Sequence, residues 1–123
     1  MPGNSRQFGR LGESLAVRHL KKNGYSILAR NYCNRFGEID IIARHKGVIV
    51  FVEVKARSSS GFGSSKAAVD RNKQKKISMT ALGYLKENRS MDAKARFDVV
   101  CVESASIRPR VEIIANAFPL AYG

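Results

Sequence analysis

The sequence predicts an α/β three-layer sandwich, a mixed five-stranded sheet with one helix on each face, and three observations lead there. The first is residues 37–57, GEIDIIARHKGVIVFVEVKAR, where two runs of β-branched and aliphatic residues flank His45-Lys46-Gly47 and read as a β-hairpin. The second is a pair of long stretches with helical periodicity, one before that hairpin and one after it. The third is a pair of short apolar runs near the C-terminus that read as strands. The order helix, three strands, helix, two strands supplies one helix for each face of a sheet. With 123 residues, the chain can build one core and not two. A single domain over 1–123 is therefore expected, with its core at about 8–118.

The first helix is expected over Phe8 to Lys22. Leu11, Leu15 and Leu20 supply its apolar positions, and Asn23-Gly24 closes it. Tyr25 to Tyr32 is a short strand entering the hairpin. A two-residue turn at Lys46-Gly47 pairs residues whose numbers sum to 93, which sets Asp40 opposite Glu53. Lys55, two residues beyond Glu53, points to the same face. Otherwise both faces are apolar, with Ile39, Ile41, Val50, Val52 and Val54 on one and Ile42, Ile49 and Phe51 on the other, the pattern of central strands covered on both sides.

Residues 58–65, SSSGFGSS, are expected to form a flexible loop, either an ordinary connector or a flap closing over a ligand. The second helix is expected over Lys66 to Asn88, basic in its first half and apolar in its second, with Ile77, Ala81, Leu82, Tyr84 and Leu85 as core positions. Asp70, Gln74 and Ile77 fall on one stripe of it. A polar connection at 89–95 leads to strands at Arg96 to Glu103 and Arg110 to Ala115, separated by Pro109. Asp98 interrupts the first of these, and a structural salt bridge to a helix lysine or arginine is the expected role.

Lys and Arg outnumber Asp and Glu 22 to 10, a formal net charge of +12, which calls for a polyanionic partner. Nucleic acid is the commonest one, and Arg57, Lys66, Arg71, Lys73, Lys75 and Lys76 are the candidate backbone contacts. A membrane is not expected as partner, since there is no long apolar run and no basic amphipathic terminal helix. The polar N-terminus lacks a signal-peptide core, so a cytoplasmic location is expected, with Cys33 and Cys101 as free thiols and Cys101 in the core. His19 and His45 have no metal-ligand spacing and read as surface residues.

Two carboxylates and an ammonium in an apolar hairpin are costly unless they bind something. A divalent cation suits Asp40 and Glu53, because Mg²⁺ is held by one or two carboxylates and takes its remaining ligands from water and phosphate. The spacing Asp40, then Glu53-x-Lys55, resembles the PD-(D/E)xK signature of restriction-endonuclease-like nucleases. The surrounding text is more specific. GRLGE at 9–13, GEIDIIA at 37–43, VFVEVKAR at 50–57, AVDRNKQKK at 68–76 and RFDVV at 96–100 together resemble the bacterial YraN family of small proteins assigned as endonucleases, from about Gly9 to Phe118.

The resemblance implies the restriction-endonuclease-like fold and a Mg²⁺- or Mn²⁺-dependent endonuclease similar to Holliday-junction resolvases, acting on branched or structured DNA. It leaves a homodimer open and names no protein partner. Asp40 and Glu53 are then metal ligands and Lys55 a catalytic cation. Gln74 matches the glutamine that resolvase-like members carry on the helix after E-x-K. Glu13, on a stripe with Ala16, Val17 and Leu20, adds an outer acidic group to the metal site in this reading; the alternative is a surface pair with Arg10. Two other functions also fit the composition. One is a binding module that keeps a nuclease-like fold without turnover, and the other is a basic protein associated with ribosomal RNA or another protein.

Overall fold

A computed structural model describes residues 2–57, 69–103 and 110–118, with side chains for 11–56, 69–103 and 110–117. The expected order of elements is present: α1 (Pro2–Lys22), β1 (Ser26–Asn34), β2 (Gly37–His45), β3 (Val48–Arg57), α2 (Arg71–Glu87), β4 (Ala95–Glu103) and β5 (Arg110–Phe118). The strands form one five-stranded sheet in the order β1-β2-β3-β4-β5. It is mixed: β3 and β4 are parallel and the other three pairings antiparallel. The parallel pair requires a crossover, and α2 lies within it.

The helices cover opposite faces. Ala16, Val17 and Leu20 of α1 pack with Ile41, Ala43, Val50, Val52, Val100 and Val102. Ile77, Ala81 and Leu85 of α2 pack with Ile39, Ile42, Ile49, Phe51, Phe97, Val99 and Cys101. Phe51 and Phe97 are fully buried, and a Phe→Ala change at such a site costs about 3–5 kcal/mol. Gly12 lets α1 approach closely, because a Cβ there would sit 2.8 Å from that of Ala56 on β3. No helix among the described residues is long and apolar enough to cross a membrane.

The hairpin register is as expected. Ile41 pairs with Val52 and His45 with Val48, around a turn in which Lys46 (φ 51°) and Gly47 (φ 80°) are both left-handed, the type I′ geometry that matches strand twist. Face assignment differs at Ile39, which belongs to the α2 side with Ile42 and not with Ile41. The cause lies in β1. Asn31 has φ 53°, and the β1–β2 ladder passes from Arg30↔Ile41 to Tyr32↔Ile39 with the pair at 31 and 40 missing, so alternation breaks at Asp40.

Four further expectations are corrected. Helix α1 begins earlier than Phe8, at Pro2. Helix α2 begins later than Lys66, at Arg71, because Asp70 is its N-cap and accepts the Lys73 N–H at 2.9 Å. Asp98 is fully buried, but its cation is Arg96 of its own strand at 3.0 Å, not a helix residue; Tyr25 Oη and the Asn116 N–H also donate to it. His45 is not a plain surface residue: its ring stacks on Tyr25 at 4.1 Å, and its Nδ1 accepts from Arg96 at 2.9 Å. Cys101 is buried as expected and Cys33 is exposed, neither of them in a disulfide.

Candidate functional site

The break in alternation at Asp40 is what creates the site. The β2–β3 ladder ends at Ile41↔Val52, and one residue further on the Asp40 Oδ2 accepts the Val54 N–H at 2.8 Å, a side chain doing the work of a strand carbonyl. Asp40 and Glu53 line one recess of about 490 Å³ together with Gly37, Glu38, Val54, Lys73, Lys76 and Ile77. Thus the hairpin supplies the acids and the first turns of α2 supply the cations.

The electrostatics of this recess are strained. Burial first, and then the Glu53 charge, push the Asp40 carboxyl up to about 6, against the opposing Val54 hydrogen bond; Glu13 adds to the rise and Lys73 reduces it. Lys73 Nζ lies 2.5 Å from Glu53 Oε2, and that contact holds its ammonium above the usual lysine range. Lys73 was expected to contact a nucleic-acid backbone, and in this structure it is the partner of an acid.

The other expected residues are distributed as follows. Lys55 shares the α2 face with Glu53, since their β4 partners Cys101 and Val99 both belong to the α2-side core, but Lys55 does not line the recess. Gln74 turns back to the segment before its helix, donating from Nε2 to the Val69 carbonyl at 2.6 Å. Glu13 accepts through one oxygen from Arg30 at 2.9–3.0 Å and from Asn31 at 3.1 Å, and so acts on Asp40 through its field. Arg71, Lys75 and Lys76 are exposed along the start of α2. The Arg57 side chain and all of Lys66 lie outside the described residues, as does the 58–65 loop. Sequence reasoning missed Arg30 and Asn31 as Glu13's partners, and nothing in their spacing signals them. It also missed Glu38 in the recess wall, which strand alternation could not place because it breaks at Asp40.

Among the described residues no cluster of three or more His, Cys, Asp or Glu side chains could hold a metal. Two carboxylates on one recess do fit a divalent ion that keeps waters and takes phosphate oxygens, and such an ion would relieve the strain that burial and the Glu53 charge put on Asp40.

An α/β protein with a five-stranded mixed sheet and a paired-acid recess beside a basic helix is the class these features define. The chain belongs to the uncharacterised protein family UPF0102, whose family model matches residues 12–102. It is the family that the YraN-like motifs resemble. Three similar relatives, each named a UPF0102 protein, come from Desulfosudis oleivorans (48% identical, covering 96% of this chain and 94% of the relative), Geobacter metallireducens (48%, 97% and 98%) and Syntrophus aciditrophicus (50%, 94% and 91%).

Proposed function

We propose that the protein is a metal-dependent endonuclease that hydrolyses phosphodiester bonds in nucleic acid, with branched or structured DNA as the substrate class and the cytoplasm as its place of action. The observation that carries this reading is the recess itself: two carboxylates, one of them raised to about 6 by burial and by the other's charge, face basic side chains of α2. Asp40 and Glu53 are the residues that would hold Mg²⁺ or Mn²⁺. Bound there, the ion would lower the pKa of a water and neutralise charge on the scissile phosphate. Asp40 is positioned for this by the Val54 amide. Lys76, at the recess wall, would take a non-bridging phosphate oxygen, and the exposed Arg71 and Lys75 would hold the backbone beyond it. Lys55 is assigned to orient the attacking water or to stabilise the transition state. Water adds to phosphorus as the P–O ester bond breaks, and the leaving oxygen takes up a proton.

The test is single-turnover cleavage of linear, flapped and four-way-junction DNAs with Mn²⁺. Glu53→Ala should abolish cleavage, and Lys55→Ala should lower the rate by about 10²-fold or more while affinity measured in Ca²⁺ stays within a few-fold of wild type. Cleavage by Glu53→Ala at the wild-type rate rules the metal site out. A Lys55→Ala rate loss explained wholly by weaker binding returns the protein to a basic binding module.

A further inference from the structure

We infer that Lys73 is the resident cation of the acidic pair, which a divalent ion must displace, and that the displaced ammonium then serves the phosphate backbone. Metal loading and nucleic-acid capture would thereby be coupled through one side chain. The inference rests on the reading that Asp40 and Glu53 hold a divalent cation.

Three features of the geometry support it. The Lys73–Glu53 contact of 2.5 Å joins an acid side chain that is 12% exposed to a lysine side chain that is 53% exposed, so the ammonium reaches the carboxylate from the solvent side and can leave the same way. The lysine backbone does not have to follow, because its N–H is fixed at 2.9 Å to the Asp70 cap on the first turn of α2. The side chain also has somewhere to go. Lys73 and Lys76 line both the acidic recess and a second one of about 350 Å³ bordered by Asp70 and Asn72, so the move is a change of rotamer on a four-carbon stem.

The coupling follows from charge. An ammonium in contact with Glu53 and a dication on the same carboxylate repel at close range, so the ion pair must open before the metal is held at full strength. Without nucleic acid, that opening lowers metal affinity. With a phosphate alongside, the released Lys73 regains a partner and the penalty is recovered. Reciprocity then requires that metal strengthen nucleic-acid binding by the same factor.

Calorimetric titration of Ca²⁺ into the full chain, with and without a duplex oligonucleotide, tests this on wild type, Lys73→Met, Lys73→Arg and Lys76→Met. Without DNA, Lys73→Met should bind Ca²⁺ about fivefold more tightly, the scale of a partly exposed ion pair. Lys73→Arg, which keeps the charge, should stay near wild type. Lys76→Met, which removes a charge from the same recess but not the contact with Glu53, should tighten Ca²⁺ binding by less than Lys73→Met does. Addition of DNA should raise Ca²⁺ affinity more in wild type than in Lys73→Met. If wild type binds Ca²⁺ and Lys73→Met binds it within twofold, or if Lys76→Met tightens as much as Lys73→Met, the displacement role is overturned while the metal site stands. If no variant binds Ca²⁺ or Mn²⁺, the metal-site reading and this inference fall together.

Discussion

Asp40 makes a measurable demand on the fold. Its folded value of about 6 lies above the ordinary 3.8, so between roughly pH 4 and 6 the folded chain keeps a proton that the unfolded chain releases. Stability therefore falls as pH rises through that window, by about 2–3 kcal/mol once the group is fully ionised. Asp40→Asn lacks this term and can still accept from Val54. Its melting temperature should exceed wild type by about 10 °C at pH 7 and converge with it near pH 4, with Mg²⁺ narrowing the gap by stabilising the wild-type carboxylate. A gap that is flat from pH 4 to 7 shows that Asp40 is not strained. At this scale the sequence was informative where contacts are local. Lys46-Gly47 set the hairpin register as far as Ile41↔Val52, one pair short of the expected Asp40–Glu53 pairing, and the ion pair from Lys73 to Glu53 spans twenty residues and depends on where α2 docks. For Gln74 the helix stripe gave the direction of the side chain but not its partner, the Val69 carbonyl.

Between elements, the approach of α1 to β3 depends on Gly12. Gly12→Ala would place a methyl 2.8 Å from the Ala56 Cβ, which has no rotamer with which to yield. Despite the better helix propensity of alanine, a net loss of about 1–2 kcal/mol is expected in chemical denaturation. An unchanged midpoint means that α1 can slide. On the other face, neutralising Lys73, Lys75 and Lys76 together should weaken binding to all sequences about equally and reduce the slope of log K against log salt by about 2–3, at roughly 0.9 for each phosphate contact on duplex DNA. A slope unaltered by the triple change moves the binding surface off α2. The strands and helices were legible from apolar period alone. The break at Asn31 was not, since its left-handed backbone is an asparagine option that composition does not mark, and it moved Ile39 to the opposite face.

Across the whole molecule, the sheet carries charge in two places with opposite solutions. On the α2 face the acids of the recess crowd one another. On the α1 face, towards the Lys46-Gly47 turn, Asp98 is satisfied by Arg96, Tyr25 and the Asn116 N–H, and Arg96 in turn reaches His45. This second group ties the start of β1, the end of β2, β4 and β5 together and reads as a structural lock. Tyr25→Phe should cost about 1–3 kcal/mol by leaving Asp98 one donor short, with metal affinity unchanged. A loss of metal affinity equal to the loss of stability would join the two groups into one. The sequence showed Asp98 as an anomaly on a strand that begins at Arg96, and two-residue spacing already set Arg96 on the same face, but a helix cation was expected in its place.

The bond from the Val54 amide to the Asp40 carboxylate gives the protein a built-in reporter. An amide proton held by a carboxylate resonates differently when that carboxylate takes up a proton, so the Val54 cross-peak in a nitrogen–proton correlation spectrum should trace a titration centred near pH 6. The same peak should move when a cation loads the recess. Occupancy of the acidic pair could then be followed residue by residue in the intact chain, with no substrate present and no turnover to wait for.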